Sequence, residues 1–205
     1  MNNLYKRVLS SIILFPLALY CILKGSFYLT FLIFICFLIA LFEWDNMVKK
    51  NIYKFFGFIF LITSFYTFYK LSITLSVIIP FLICISTDIG GYVFGNFFKG
   101  PKLTKISPNK TYSGMIGGYL LSIVFISLYF DFIDKLFTLN IFILVIIISS
   151  VSQIGDIIIS YFKRLSKLKN TGNIIPGHGG LLDRIDGMIF AFPAFYLLNL
   201  TSHTF

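Results

Sequence analysis

Charged residues are scarce in this chain. Of 205 residues only 8 are acidic and 17 are basic, and charged side chains make up 12% of the sequence against 58% that are hydrophobic. The mean hydropathy is +0.90. A water-soluble globular protein of this length needs more polar residues than this to cover its surface. The composition therefore excludes soluble protein classes. The composition predicts a polytopic integral membrane protein.

Zinc and redox centres are not indicated either. Cys21, Cys36 and Cys84 lie inside apolar runs, with no C-x-x-C pair and no His near them in sequence. Isolated cysteines of this kind usually pack as small hydrophobic side chains. The chain also lacks internal repeats, low-complexity tracts and soluble-domain boundaries. We therefore expect a single transmembrane domain over residues 1–205.

Apolar runs recur along the chain and predict an all-α fold with about seven transmembrane helices. The first run follows a short basic head, as in a signal peptide, but no small-residue cleavage site comes after it. We therefore expect a retained first helix. The predicted spans cover residues 8–23, 28–48, 55–69, 72–98, 114–129, 138 onward and 183–200.

The fourth run is too long for one simple span and contains Asp88, Gly90 and Gly91. A carboxylate facing lipid is unfavourable, and glycines loosen a helix. This pattern predicts a broken or bent helix near residues 85–98 that lines a polar cavity.

Basic residues are distributed unevenly between the predicted loops. With the N-terminus inside, only Lys24, Lys70 and Lys135 of the 17 basic residues fall on the outer side. This bias follows the positive-inside tendency and places the loops around 99–112 and 155–187 in the cytoplasm. Because membrane topology accounts for the basic surplus, we do not expect nucleic acid as a partner.

Two smaller patterns receive structural interpretations. Glu43 and Asp45 end the second run, and a solvated helix end is favoured over a functional role for both acids. Glycines 114, 117 and 118 open the fifth run, and their spacing favours close packing of two helices.

Polar chemistry is concentrated between residues 155 and 187. Asp156, Ser160 and Lys163 are spaced at i, i+4 and i+7, so a helix would place them on one face. Carboxylates, cations and a glycine-rich turn within about thirty residues are typical of sites for metal ions and phosphates.

The end of this stretch, PGHGGLLDRID, combines the glycine-rich turn with two aspartates. Backbone amides in such a turn approach a ligand closely. Asp183 and Asp186 are three residues apart at the start of the last apolar run, where we expect them on one helix face.

These residues resemble the signature of the phosphatidate cytidylyltransferase family, also called CDP-diacylglycerol synthases. The order S-x-x-K-R, then K, then P-x-H-G-G-x-x-D-R-x-D carries the resemblance. The matching residues are Ser160, Lys163, Arg164, Lys169, Pro176, His178, Gly179, Gly180, Asp183, Arg184 and Asp186.

Two further segments support the resemblance. ISPNKTYSGMIGG at 106–118 is similar to the family's middle motif, and Asp88 with Gly95 is similar to an upstream pair. The resemblance covers residues 85–190 well, and we expect the catalytic portion there. Residues 1–80, the N-terminal helices, match only in general character.

The resemblance implies transfer of CMP from CTP to phosphatidate, giving CDP-diacylglycerol and pyrophosphate, with Mg²⁺ as cofactor. The expected metal ligands are Asp156, Asp183, Asp186 and Asp88. The expected catalytic residues are Lys163, Arg164, Asp183, Arg184 and Asp186. The expected substrate-binding residues are Ser107, Lys110, Thr111, Ser160, Lys169, His178, Gly179 and Gly180.

His178 is expected to bind phosphate or support the turn, because an attacking phosphate that is already ionised needs no general base. Three positions depart from the family pattern, and each lacks a carboxylate: Asn170, Ser113 and Ile159. For Asn170 we expect a mild effect.

Three alternative functions stay open. A CDP-alcohol phosphotransferase would carry a D-G-x-x-A-R opening, which is absent here, and a cation-coupled transporter would be expected to show inverted repeats, of which none is visible. The sequence does not distinguish the third alternative, a CTP-dependent prenyl-lipid or archaeal-lipid enzyme, because only the lipid tail of the substrate would differ. We expect CTP, phosphatidate and membrane lipid as partners in a bacterial inner membrane. The oligomeric state is open, with a homodimer as one option.

Overall fold

The computed structural model describes residues 16, 20, 21, 24, 26–74, 76–175 and 179–202. Within this part of the chain the secondary structure is helical, apart from two isolated backbone bridges, so the all-α prediction is confirmed. The helices are α1 (Ser26–Met47), α2 (Asn51–Ile73), α3 (Ile78–Phe98), α4 (Tyr112–Phe132), α5 (Leu139–Leu165), α6 (Leu182–Ile185) and α7 (Met188–Ser202).

Helices α1 to α5 are long and apolar enough to cross a membrane, with mean hydropathies between 1.4 and 2.3. Many of their large side chains are exposed, including Phe31, Phe42 and Leu128, as expected for helices surrounded by lipid. These five helices confirm five of the predicted spans. The predicted first span, 8–23, lies almost wholly outside the described residues. The predicted last span corresponds to α7, which at 15 residues is shorter than the roughly twenty of an untilted span.

The span predicted for α2 was too short. The helix runs from Asn51 to Ile73 rather than over 55–69, because polar and aromatic residues at both ends continue it. Tyr53 and Tyr69 are typical of the membrane interface, where such residues extend an apolar span.

The predicted helix near residues 85–98, broken or bent, is not broken, and a bend there stays a prediction. α3 is one continuous helix through Asp88, Gly90 and Gly91. A Cβ atom on Gly90 would collide with the backbone carbonyl of Gly117 in α4. The glycine therefore permits close helix packing and does not break the helix.

The prediction that Asp183 and Asp186 share one helix face is also wrong. Asp183 lies in the short helix α6, and Asp186 lies in the turn before α7 begins at Met188. The apolar run therefore starts with two separate helices, and the side-chain spacing of a single helix does not apply across the turn.

The chain forms two compact units, and each draws on segments distant in sequence. The first unit comprises Met1–Ile73 and Phe162–Ile185, and the second comprises Thr74–Tyr161 and Asp186–Phe205. α1 contacts α2 and α6 in the first unit, while α3 contacts α4 and α7 in the second. The predicted single domain, with N-terminal helices in 1–80 and a catalytic portion in 85–190, stays a prediction.

In the first unit, packing, a hydrogen bond and an ion pair stabilise the corner between α1 and α2. The buried Trp44 ring fills the space above Gly57, and its Nε1 donates a hydrogen bond to the Lys54 carbonyl at 3.3 Å. The ring also packs edge-on against Phe162, with centroids 5.0 Å apart. Asp45 pairs with Lys54 at 2.7 Å on the surface of this corner.

The second unit is packed through small residues. Gly114 lies so near Gly91 that a Cβ atom would stand 2.6 Å from the Gly91 carbonyl oxygen, and one on Gly118 would stand 3.0 Å from the Thr87 carbonyl oxygen. The hydroxyls of Thr87 and Ser149 are hydrogen-bonded at 2.8 Å in the buried interior. The predicted packing role of the glycines at 114–118 is confirmed.

Candidate active site

In the first unit, a group that we call the signature cluster forms around Asp183. Its members are Lys163, Thr171, Gly180, Asp183 and Glu43. Lys163 Nζ pairs with Asp183 Oδ1 at 2.8 Å. The other carboxylate oxygen, Oδ2, accepts hydrogen bonds from the backbone N–H of Thr171 at 2.9 Å and of Gly180 at 3.1 Å. Asp183 therefore joins the end of α5 to Thr171 and Gly180 of the loop that follows it.

Glu43 completes the signature cluster, although sequence patterns favoured a solvated helix end for it. Its side chain is 1% exposed. Its oxygens accept hydrogen bonds from the N–H groups of Leu181 and Leu182 at 2.9 and 2.8 Å and from the Thr171 hydroxyl at 3.1 Å. The solvated interpretation is wrong for Glu43 and correct for Asp45, which is 51% exposed. An ionisable residue inside an apolar run was the available signal, because such residues are rarely left without partners.

The glycines of the signature are required by space and backbone conformation. Gly179 has a φ of +89°, where side chains other than glycine are strained. A Cβ atom on Gly180 would overlap the Thr171 hydroxyl and stand 2.6 Å from Glu43 Oε2. Gly179 and Ile175 exchange two backbone hydrogen bonds. Pro176 and His178 lie outside the described residues, so the predicted role of His178 stays a prediction.

In the second unit, a group that we call the Lys110 cluster comprises Lys110, Gln153, Asp156 and Ser160. Lys110 Nζ pairs with Asp156 Oδ2 at 2.5 Å and donates a longer bond to the Gln153 carbonyl at 3.4 Å. The Ser160 hydroxyl donates to Asp156 Oδ1 at 3.3 Å. Asp156 and Ser160 are one helical turn apart on α5, as predicted.

The loop before α4 positions Lys110. Its two sides pair through Leu103 N–H to the Lys110 carbonyl at 2.7 Å and Tyr112 N–H to the Pro101 carbonyl at 3.1 Å. The Ser107 carbonyl accepts the N–H of Lys110 within a tight turn. Thr111 then caps α4, since its hydroxyl accepts the Gly114 N–H at 3.1 Å. The Ser-Pro-x-Lys-Thr segment is therefore a folded loop, and Lys110 is directed at α5.

The remaining predicted residues are not drawn into either cluster. Arg164, Lys169 and Arg184 are exposed, as cations that receive a ligand from solvent would be. Asp88 is exposed on α3, and Asp186 is half-buried in its turn. Both aspartates and Arg184 make further interactions within their surroundings.

The positions that depart from the family pattern have ordinary structural surroundings. Ile159 is buried in α5. The Ser113 hydroxyl bonds to the Thr111 hydroxyl at 3.0 Å and to the Lys99 carbonyl at 3.2 Å. Asn170 is exposed, and a Cβ atom on Gly179 would stand 3.2 Å from the Cβ atom of Asn170.

Among the described residues, no three His, Cys, Asp or Glu side chains form a group able to hold a metal ion. Mg²⁺ is commonly bound by one or two carboxylates together with the phosphates of a substrate, so individual aspartates fit that ion. The Mg²⁺ prediction stays a prediction.

Comparison with known proteins extends over nearly the whole chain. The sequence model of the cytidylyltransferase family matches residues 52–201. A phosphatidate cytidylyltransferase of Rickettsia typhi is 38% identical over 214 residues, which cover 97% of this chain and 93% of that protein. The Rickettsia prowazekii protein of the same name is 37% identical over 218 residues, with 97% and 93% covered. A phosphatidate cytidylyltransferase of Staphylococcus aureus is 41% identical over 130 residues, covering 62% of this chain and 49% of its own length. The chain belongs to the cytidylyltransferase family.

Proposed function

We propose that this chain transfers CMP from CTP to phosphatidate, giving CDP-diacylglycerol and pyrophosphate. The observation that carries the proposal is the similarity over 97% of the chain to proteins named for this reaction. Each lysine–aspartate pair supports it by itself, because phosphoryl transfer needs cations near the phosphates.

The reaction needs no covalent intermediate with the protein. An ionised oxygen of phosphatidate attacks the α-phosphorus of CTP, one P–O bond forms, and the bond to the leaving pyrophosphate breaks. The cationic side chains hold the triphosphate and the lipid phosphate, and the two Arg residues suit bidentate contacts. These groups are Lys110, Lys163, Arg164, Lys169 and Arg184.

Mg²⁺ is part of the proposal. Asp156 is the first candidate ligand, with Asp183, Asp186 and Asp88 as further ones. When bound, the ion would neutralise charge on the phosphates during transfer. Ser160, beside Asp156, would donate a hydrogen bond to substrate or to the ion's surroundings, and Ser107, Thr111, Gly179 and Gly180 would shape the phosphate-binding loops.

The assay that tests the function uses the full chain in detergent with CTP labelled at either the α- or the γ-phosphate. With phosphatidate we expect the α-label to enter the lipid and the γ-label to leave as pyrophosphate. Label entering an isoprenoid or dolichol acceptor instead would favour the prenyl-lipid alternative. Transfer of the γ-label to lipid would overturn nucleotidyl transfer altogether.

The proposed location is a bacterial inner membrane with both clusters facing the cytoplasm, where CTP is found. A single cysteine introduced near Asn173, in a chain without its natural cysteines, should be labelled only from the cytoplasmic side. One placed near Asp134 should be labelled from outside, and the opposite pattern would refute this orientation. A homodimer, the remaining partner prediction, is tested by measuring the mass of the detergent-solubilised protein.

A further inference from the structure

Glu43 is a buried carboxylate that the proposed reaction does not use. Its hydrogen-bond partners among the described residues, Thr171, Leu181 and Leu182, come from the segment that carries the signature residues. All three are neutral donors, and within the described residues no ion pair involves Glu43. The carboxylate is therefore stabilised by backbone and hydroxyl groups of a single loop.

Asp183 is held by the same loop. Thr171 connects the two carboxylates, because its N–H bonds to Asp183 Oδ2 at 2.9 Å while its hydroxyl bonds to Glu43 Oε2 at 3.1 Å. Gly180 bonds to Asp183, and the next two amides bond to Glu43. The two carboxylates together engage the backbone of Thr171, Gly180, Leu181 and Leu182.

The loop also fits closely around the Glu43 side chain. Cβ atoms on Gly172 and Gly180 would each stand 2.7 Å from Glu43 Oε1. The backbone can approach the carboxylate this closely only because both positions are glycine.

We propose that Glu43 is a positioning residue that orders the backbone at Thr171 and at Gly180 to Leu182, and thereby fixes the Lys163–Asp183 pair. The inference rests on the proposed function for its activity measurements. Glu43 acts through the loop and touches no reacting atom. It makes the end of a membrane helix, α1, part of the support for the nucleotide site.

Substitution by Gln tests the chemistry of this contact. Both oxygens of Glu43 accept hydrogen bonds from backbone N–H groups, which cannot reverse direction. A Gln amide therefore places its NH₂ against a donor in either orientation, while the volume hardly changes. The matched control is Asp45→Asn, which neutralises an exposed carboxylate two residues further along α1.

For Glu43→Gln we expect the KM for CTP to rise at least about tenfold, with a lower kcat. Hydrogen exchange of the 171–182 backbone should accelerate by at least about tenfold, and the midpoint of thermal unfolding should stay within roughly 4 °C. A purely structural residue would lower the unfolding midpoint and leave the KM of the folded enzyme unchanged. Asp45→Asn should match wild type in all three measurements.

A second pair of variants covers the case in which Glu43→Gln fails to fold. Thr171→Val removes the hydroxyl that bonds to Glu43 and keeps the N–H that bonds to Asp183, whereas Thr171→Ser keeps both. We expect accelerated loop exchange and a raised KM for Thr171→Val, with Thr171→Ser close to wild type.

Wild-type exchange of the loop in both Glu43→Gln and Thr171→Val would overturn the proposal. So would lost activity with unchanged loop exchange, since Glu43 would then act by another route. If the wild-type chain fails to use CTP, the proposed function fails, while accelerated loop exchange in the variants still supports the positioning role.

Discussion

Asp183 and Asp156 are each paired with a lysine, but their surroundings differ. Lys163 and Asp183 have side chains only 13% and 9% exposed, and Asp183 holds two backbone amides as well. Lys110 and Asp156 are 23% and 30% exposed, and the other contact of Asp156 is a long bond from Ser160. A buried carboxylate with all its oxygens engaged orders local structure, whereas a more open one can exchange partners with a ligand. The two pairs should therefore respond differently to substitution.

Asp183→Asn should have the largest effect. It removes the charge that faces Lys163 and places a side-chain NH₂ group near the N–H groups of Thr171 and Gly180 or the Lys163 ammonium. We therefore expect the rate of nucleotidyl transfer to fall by at least about a thousandfold, roughly 4 kcal/mol. The protein should still insert and purify, but exchange of the 171–182 backbone should accelerate. The activity is measured as initial rates at saturating Mg²⁺, and the loop is followed by hydrogen exchange. Wild-type turnover by Asp183→Asn would refute a role of Asp183 in the reaction. The proposed difference between the Asp183 and Asp156 pairs would then not hold.

Asp156→Asn should reduce the rate strongly while leaving stability almost unchanged. The Lys110 pair is partly exposed and contributes less than about 1 kcal/mol to folding. Loss of a ligand carboxylate should lower kcat/KM at least about a hundredfold, or roughly 2.7 kcal/mol. Asp131→Asn, an exposed change at the end of α4, serves as the control for lost charge. A large fall in the unfolding midpoint without a rate effect would show that Asp156 has a structural role only.

Gly90→Ala and Gly91→Ala test the close packing of α3 on α4 in the unit that contains the Lys110 cluster. A methyl group on Gly90 would collide with the Gly117 carbonyl, whereas one on Gly91 would stand 3.8 Å from the nearest atom outside its own helix, the Gly114 carbonyl oxygen. We expect Gly90→Ala to lose about 2 kcal/mol and Gly91→Ala to stay within about 0.5 kcal/mol of wild type. Thermal unfolding of the two variants side by side is the measurement. Equal midpoints would refute close packing of α3 on α4.

Asn170→Asp should have the smallest effect. Asn170 is exposed and precedes Thr171, whose N–H already bonds to Asp183. If residue 170 only supports the loop, the Mg²⁺ concentration for half-maximal rate should change less than about tenfold, or under roughly 1.4 kcal/mol. A Mg²⁺ titration of the initial rate measures this. A larger fall in that concentration, together with a higher maximal rate, would place residue 170 among the metal ligands.

Hydropathy predicted five membrane helices well because an apolar run long enough to span a bilayer has few other stable arrangements. Predictions that depended on how polar residues interrupt such runs were weaker. Asp88 and its neighbouring glycines suggested a broken or bent helix, yet α3 continues through them without a break, and a second helix packs against the glycines. The α6–α7 turn was missed because the spacing of Asp183 and Asp186 fits a helix equally well.

Composition and motif spacing by themselves determined that this chain is helical, membrane-embedded and similar to the cytidylyltransferases. The resemblance to that family implied Lys110, Asp156, Lys163 and Asp183 as site residues. Only the tertiary structure decided that Lys110 meets Asp156 and Lys163 meets Asp183. It alone separated Glu43 from Asp45, two acids that sequence patterns treat alike. The physical reason is that a carboxylate's role depends on the donors that surround it, and those of Glu43 are two backbone amides and a threonine hydroxyl more than 120 residues away in the chain.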